Sequence, residues 1–132
     1  MKPTAFKIES VNLFECDFKH LPMDEPDDEV YNENPFNVSV EETTESNKFK
    51  VLFSFDQHYK GKTTGELKIK VVFCGNFEFN ELITSALSKE RFCETNAPAM
   101  IFPYLREFIA SITGRAGLPP LLLPPLSFVS EK

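Results

Sequence analysis

The sequence has no tryptophan, only two histidines (His20 and His58) and five glycines among 132 residues. With so few histidines there is neither an HExxH pair nor a His/Cys cluster at zinc-ligand spacing. An Asp-rich calcium loop is also missing. The sparse glycines exclude a phosphate-cradling loop, because Gly114-Arg115-Ala116-Gly117 has neither the spacing nor the preceding strand of a nucleotide motif. No serine is framed as GxSxG, and no cysteine carries a local nucleophile signature. A zinc site built from Cys16, His20 and His58 needs the first and third strand-like segments to be neighbours. With no catalytic constellation, the expectation is a protein that is not an enzyme and takes no metal or cofactor.

Other absences narrow the setting. The three cysteines, Cys16, Cys74 and Cys93, are odd in number and lack CxxC spacing, which suits reduced thiols better than a disulfide framework. The N-terminal MKPTAFKIES has no apolar core of a signal peptide, and no apolar run approaches the ~20 residues of a membrane span. A cytoplasmic location without membrane insertion is expected. A net charge of -6 argues against a nucleic-acid partner, since phosphate binding needs clustered Lys and Arg. Acidic residues gather in Met23–Glu33, which reads as a solvated loop.

What is abundant is phenylalanine, 14 of the 132 residues, enough to line an apolar groove as well as fill a core. Four segments alternate with period two. In Ala5–Phe18 the apolar phase slips by one at Val11 and Leu13 and returns at Phe14, Cys16 and Phe18, predicting a bulge or a centre buried on both faces. Phe36, Val38 and Val40 alternate in the second, Phe49, Val51, Phe53 and Phe55 in the third. Leu67, Ile69, Val71, Phe73, Phe77 and Phe79 share a face in the fourth, where Gly75 marks a bulge or a close backbone approach. The polar runs Glu42–Asn47 and Lys60–Gly65 read as turns.

The period then lengthens. Leu82, Ile83, Ala86 and Leu87 predict a short helix, and Ile101, Tyr104, Leu105, Phe108, Ile109 and Ile112 form the stripe of a longer one. Asn96 is the expected N-cap and Pro98 sits in the first turn. Pro103 should bend or loosen the helix, and Gly114 and Gly117 end it. Strands first and helices last predict a single α+β domain over 1–132: a four-stranded antiparallel sheet in 1–80, a short and a long helix in 81–117, and an extended Pro/Leu-rich segment in 118–132.

The C-terminal third resembles the SecB family of protein-export chaperones. Phe102, Pro103, Tyr104, Arg106, Glu107 and Ile109 match the family's FPYxRExI helix core. The glycine break Gly114–Gly117 and the segment PPLLLPPLSF are similar to the family's stretch after that core, and CGNFEF and AFKIESVNLF are similar to its fourth and first strands. The resemblance implies an ATP-independent holdase that keeps unfolded precursor proteins in apolar grooves until the SecA motor accepts them. It also implies a homo-oligomer, a tetramer built as a dimer of dimers.

On this reading the client-binding residues are Leu118, Leu121, Leu122, Leu123, Leu126 and Phe128, with Phe36 and Tyr31, although some of the leucines would simply cover the sheet. The helix stripe Ile101, Tyr104, Leu105, Phe108, Ile109 and Ile112 is the expected oligomer interface, or else core. Glu15 falls at one acidic position used for SecA docking, whereas Lys19 and Lys70 stand where two other acids are expected. The match stops at SFVSEK, before the family's second helix and acidic tail, so a groove that is shallower or completed by a neighbouring subunit is expected. Two further readings stay open: a chaperone dedicated to one partner, such as a toxin–antitoxin pair, and a non-chaperone interaction scaffold.

Overall fold

A computed structural model describes residues 6–27, 32–79 and 89–128. Its elements in chain order are β1 (Phe6–Leu21), β2 (Pro26–Asp27), β3 (Phe36–Glu42), β4 (Lys48–Gly61), β5 (Glu66–Phe79), α1 (Lys89–Glu94) and α2 (Asn96–Arg115). Every strand pairing is antiparallel, in the order β1–β5–β4. β3 and the two-residue β2 share the far side of β4, β3 along Phe49–Phe55 and β2 at Lys60–Gly61. The expected α+β fold and its four main strands are present. The short-helix stripe Leu82, Ile83, Ala86 and Leu87 lies outside the described residues, and α1 begins at Lys89.

Period two in β4 and β5 becomes a two-faced sheet. Phe49, Val51, Phe53 and Phe55 of β4 lie beside Phe77, Gly75, Phe73 and Val71 of β5 on one face, all buried. α2 covers that face with Ala97, Ile101, Leu105 and Ile109, each with no exposed area. These positions follow the i, i+4 spacing of one helix stripe. Gly75 leaves room for a close approach: a Cβ there would lie 2.6 Å from the Phe77 ring and 2.9 Å from Ile101 Cδ1 of α2. Of the two readings of Gly75, the close approach holds, and the β4–β5 register runs through it unbroken.

β1 solves its phase problem with two irregularities. Register shifts at Ile8/Ser10 and Leu13/Glu15 insert Glu9 and Phe14 as extra residues. Phe6, Ile8, Val11, Leu13, Cys16 and Phe18 thereby all pair with core-face residues of β5, although their numbers change parity twice. Phe14 does not rejoin that face. It is 57% exposed and turned to the opposite side with Glu15.

The start of the acidic run, Asp24 and Glu25, is tied to the β4–β5 turn. The Asp24 carboxylate accepts the Thr63 and Thr64 N–H groups and the Thr63 hydroxyl. Lys62 N–H donates to the Glu25 carbonyl at 2.7 Å. This clamp on the β4–β5 turn lines up β2, an element that alternation cannot reveal in two residues.

Asn96 is the first helical residue of α2 rather than its cap. Thr95 holds the cap position without a side-chain cap bond, its hydroxyl lying 2.8 Å from the Arg91 carbonyl of α1. The helices join through one residue, leaving no extended turn for a capping side chain. Pro98, in the first turn, is buried, and Pro103 is exposed inside a helix that runs on to Arg115. At the far end Gly117 N–H bonds the Gly114 carbonyl and Leu118 N–H the Thr113 carbonyl, both at 3.1 Å, with Gly117 at φ 82°. That is a Schellman end, which needs the left-handed backbone glycine adopts freely.

Candidate functional site

Residues 118–128 run extended from the end of α2 across the sheet toward β3. Thr113 fixes the start of this path. Its buried hydroxyl donates to the Ile109 carbonyl and accepts the Leu121 N–H, both at 2.8 Å. Leu118, Leu121, Leu126 and Phe128 are half-buried against the core, and Leu123 is only 4% exposed. Leu123 is therefore corrected from client contact to core. Leu122, at 68%, is the one leucine of the segment that projects into solvent. Tyr31 lies outside the described residues.

The segment ends at an aromatic seat. Phe128 meets Phe53 and Phe102 nearly edge-on, with ring centroids 5.9 and 5.8 Å apart. Phe36, at the start of β3, meets the same two rings at 6.0 and 6.2 Å. Phe36 and Phe128 remain partly exposed, with Phe53 and Phe102 buried beneath them. From Phe36 the core-side face of β3 continues through the exposed Val38 and Val40 to a cavity of about 390 Å³. Val38, Val40, Glu42, Lys89, Glu90 and Cys93 line it, and Lys89 closes its end with an ion pair to Glu42 at 2.6 Å. Among the described residues β3 pairs only with β4, and no other strand lies along its second edge beside this channel. Seven residues of strand make it about 20 Å long. The sequence points to Phe36 but does not single out Phe53, Phe102, Val38 and Val40, because alternation marks a core face without marking where its cover ends.

The helix stripe divides. Ile101, Leu105 and Ile109 have no exposed area, so their assignment to an oligomer interface is corrected: they pack on the chain's own sheet. Tyr104 is 51% exposed, and Phe108 and Ile112 are half-buried. Tyr104 and Phe108 flank Phe73 of β5 at 6.5 and 5.7 Å. Beyond Phe73, Leu13 (45% exposed) and Ile8 lie on the same face of β1, the sheet edge. An apolar strip thus joins α2 to β1.

The opposite face is ionic. Glu15 pairs with Lys70 at 3.2 Å and Asp17 with Lys68 at 3.1 Å. Glu66 receives Lys19 and His58, each at 2.9 Å, and its pKa falls to about 2, the Lys19 hydrogen bond being the largest cause. Glu15, with the exposed Phe14, borders a concavity of about 430 Å³ here. His20 and Cys16 pair with core-face residues on β1, whereas His58 on β4 is turned to the ionic face, with β5 between. The conceivable zinc triplet is not brought together. Burial pushes up the pKa of all three cysteines, Cys93 to about 11, which keeps the thiols protonated at neutral pH.

Fold and surface together define a class: an antiparallel sheet with one face covered by a long helix and bordered by exposed aromatic and apolar groups, and the other face ionic. The family model described as preprotein translocase subunit SecB matches residues 11–130. The chain belongs to the SecB family. Among curated relatives, the protein-export protein SecB of Rhodospirillum rubrum is 29% identical over 101 residues, 74% of this chain and 60% of that protein. SecB of Neorickettsia sennetsu is 37% identical over 62 residues, covering 47% and 37%. An uncharacterized protein of Methanocaldococcus jannaschii is 46% identical over 50 residues, covering 37% and 32%. The matches thus span about a third to three fifths of these relatives' lengths. In fold, the chain is similar to a SecB-like chaperone of Mycobacterium tuberculosis solved with a ChAD peptide from the HigA1 antitoxin. The TM-score is 0.70 at 19% identity, over 92% of this chain and 91% of that one.

Proposed function

We propose that this protein is an ATP-independent chaperone that holds extended, unfolded segments of other proteins in the channel running from the aromatic seat along β3. The observation that carries this reading is the seat itself: Phe36 and Phe128, partly exposed, over Phe53 and Phe102, beside a strand that pairs on one side only among the described residues. Unfolded chains share apolar side chains and unpaired backbone. An apolar channel beside a strand paired on one side only among the described residues recognises both without sequence-specific polar contacts. The protein works in the cytoplasm as a homo-oligomer, a tetramer in the family's manner. Its assembly surface is the strip of Tyr104, Phe108, Ile8 and Leu13, whose burial would stabilise association by roughly 25 cal/mol per Å². The assay is suppression of aggregation of several unrelated denatured proteins, without nucleotide. Protection of all of them is expected. Protection of none overturns the reading, and protection of a single partner moves it to a dedicated chaperone or a scaffold.

A specific observation favours a dedicated destination over SecA delivery. Glu15 is paired with Lys70, and Asp17 and Glu66 are likewise paired within the sheet, so these three acids offer a basic partner little free negative charge. The structurally similar chaperone holds an antitoxin peptide. A SecA titration silent under conditions where holdase activity is present is the expected result.

A further inference from the structure

Residues 124–128 are held differently from the residues before them. Up to Leu123 the segment is fixed by the Leu121 bond to Thr113 and by the burial of Leu123. From Pro124 to Phe128 no hydrogen bond is made among the described residues. Pro124 and Pro125 have no N–H to give, and only Leu126 and Phe128 touch the core. The Pro-Pro pair also stiffens the chain, so this stretch can lift as one piece about Leu123. What it would uncover is specific. Phe128 approaches Phe53 and Phe102 at interplanar angles of 82° and 62°, much as Phe36 does from the other side at 89° and 72°. With Phe128 gone, two rings otherwise nearly sealed would lie open to one further ring.

We propose that Phe128 is a built-in occupant of the aromatic seat, displaced when an aromatic side chain of a bound client takes its place. The inference rests on the client-binding reading above and adds to it an exchange: a client ring enters beside Phe36 only as Phe128 leaves. Self-occupation keeps Phe53 and Phe102 from water in the free protein. Exchange of one ring for another leaves the edge-on geometry unchanged. The client must compete with a tethered rival, so its apparent affinity is lowered by the fraction of time the seat is closed. Two edge-on contacts of ordinary strength favour the closed state roughly tenfold.

The test uses a tryptophan-free, fluorescein-labelled peptide of Ser, Leu and Pro with one central Phe, and its Phe→Ala twin. In anisotropy titrations Phe128→Ala should bind the Phe peptide roughly tenfold tighter than the unaltered protein does, with a much smaller change for the twin. Weaker or unchanged binding of the Phe peptide by Phe128→Ala makes Phe128 a fixed wall and overturns the proposal. Because the chain has no tryptophan, Phe128→Trp supplies a single indole reporter. Its emission should shift to the red as the unlabelled Phe peptide is added. Binding with an unmoved indole overturns displacement alone, whereas no binding of either peptide to the unaltered protein overturns the client-binding reading with it.

Discussion

Thr113→Val removes one hydroxyl and almost no volume from a buried position, and it leaves helix propensity nearly unchanged. What it breaks is the join between α2 and the extended segment. The Thr113 hydroxyl both donates to Ile109 and accepts from Leu121, at 2.8 Å in each case. The Ile109 carbonyl loses a secondary donor at small cost. The Leu121 N–H, on a half-buried residue, loses its partner in a place where water reaches it poorly. An unpaired group of this kind costs about 1–3 kcal/mol. About 1.4 kcal/mol is a factor of ten, so opening of the segment should become roughly tenfold more frequent. Amide hydrogen exchange reads this directly: the Leu121 amide should lose about tenfold protection in Thr113→Val, with the β4 and β5 amides slowed or quickened together only by the global change. Thr113→Ser, which keeps the hydroxyl, should retain most of the protection. Equal Leu121 exchange in Thr113→Val and the unaltered protein, or Thr113→Ser behaving like Thr113→Val, would refute the latch.

Other outcomes rest on the same geometry. Gly75→Ala places a Cβ within 2.6 Å of the Phe77 ring and 2.9 Å of Ile101, so it should lower stability by about 1–3 kcal/mol in urea unfolding. Glu66 is ionised more readily in the folded state, with its pKa lowered from 4.5 to about 2. Its contribution is therefore present above pH 4.5 and lost as pH falls toward 2, and Glu66→Gln should flatten that part of the stability–pH curve. The double change Leu13→Asp with Tyr104→Asp should reduce the assembly mass in sedimentation while leaving the circular dichroism of the fold intact.

Much of the architecture is legible in residue order. The odd-numbered apolar residues of β4 and β5 predict the core face because a strand side-chain period of two has no competing interpretation over such length. The double phase change in β1 likewise announces an irregular register, although not that Phe14 itself would be an inserted residue. β2 is invisible for a different reason: it exists because Asp24 reaches Thr63 and Thr64, some forty residues away in the chain. Ile101, Leu105 and Ile109 show what periodicity leaves open. A stripe says that something covers it, and here that cover is the chain's own sheet rather than a second subunit. The leucines after Gly117 pose the same ambiguity, and Thr113 resolves much of it by drawing Leu121 down and leaving Leu122 outside. That role has no sequence signal, since a threonine near a helix end is ordinary.

In the proposed function, unfolded chains lie along β3 from the aromatic seat. A photo-crosslinking amino acid placed at Phe36 tests it most directly, with Lys68 on the ionic face as the comparison position. With an unfolded, carboxymethylated protein as client, crosslinks should form at Phe36 and not at Lys68. Crosslinks at Lys68 with none at Phe36 would place the client on the other face of the sheet and overturn binding along β3.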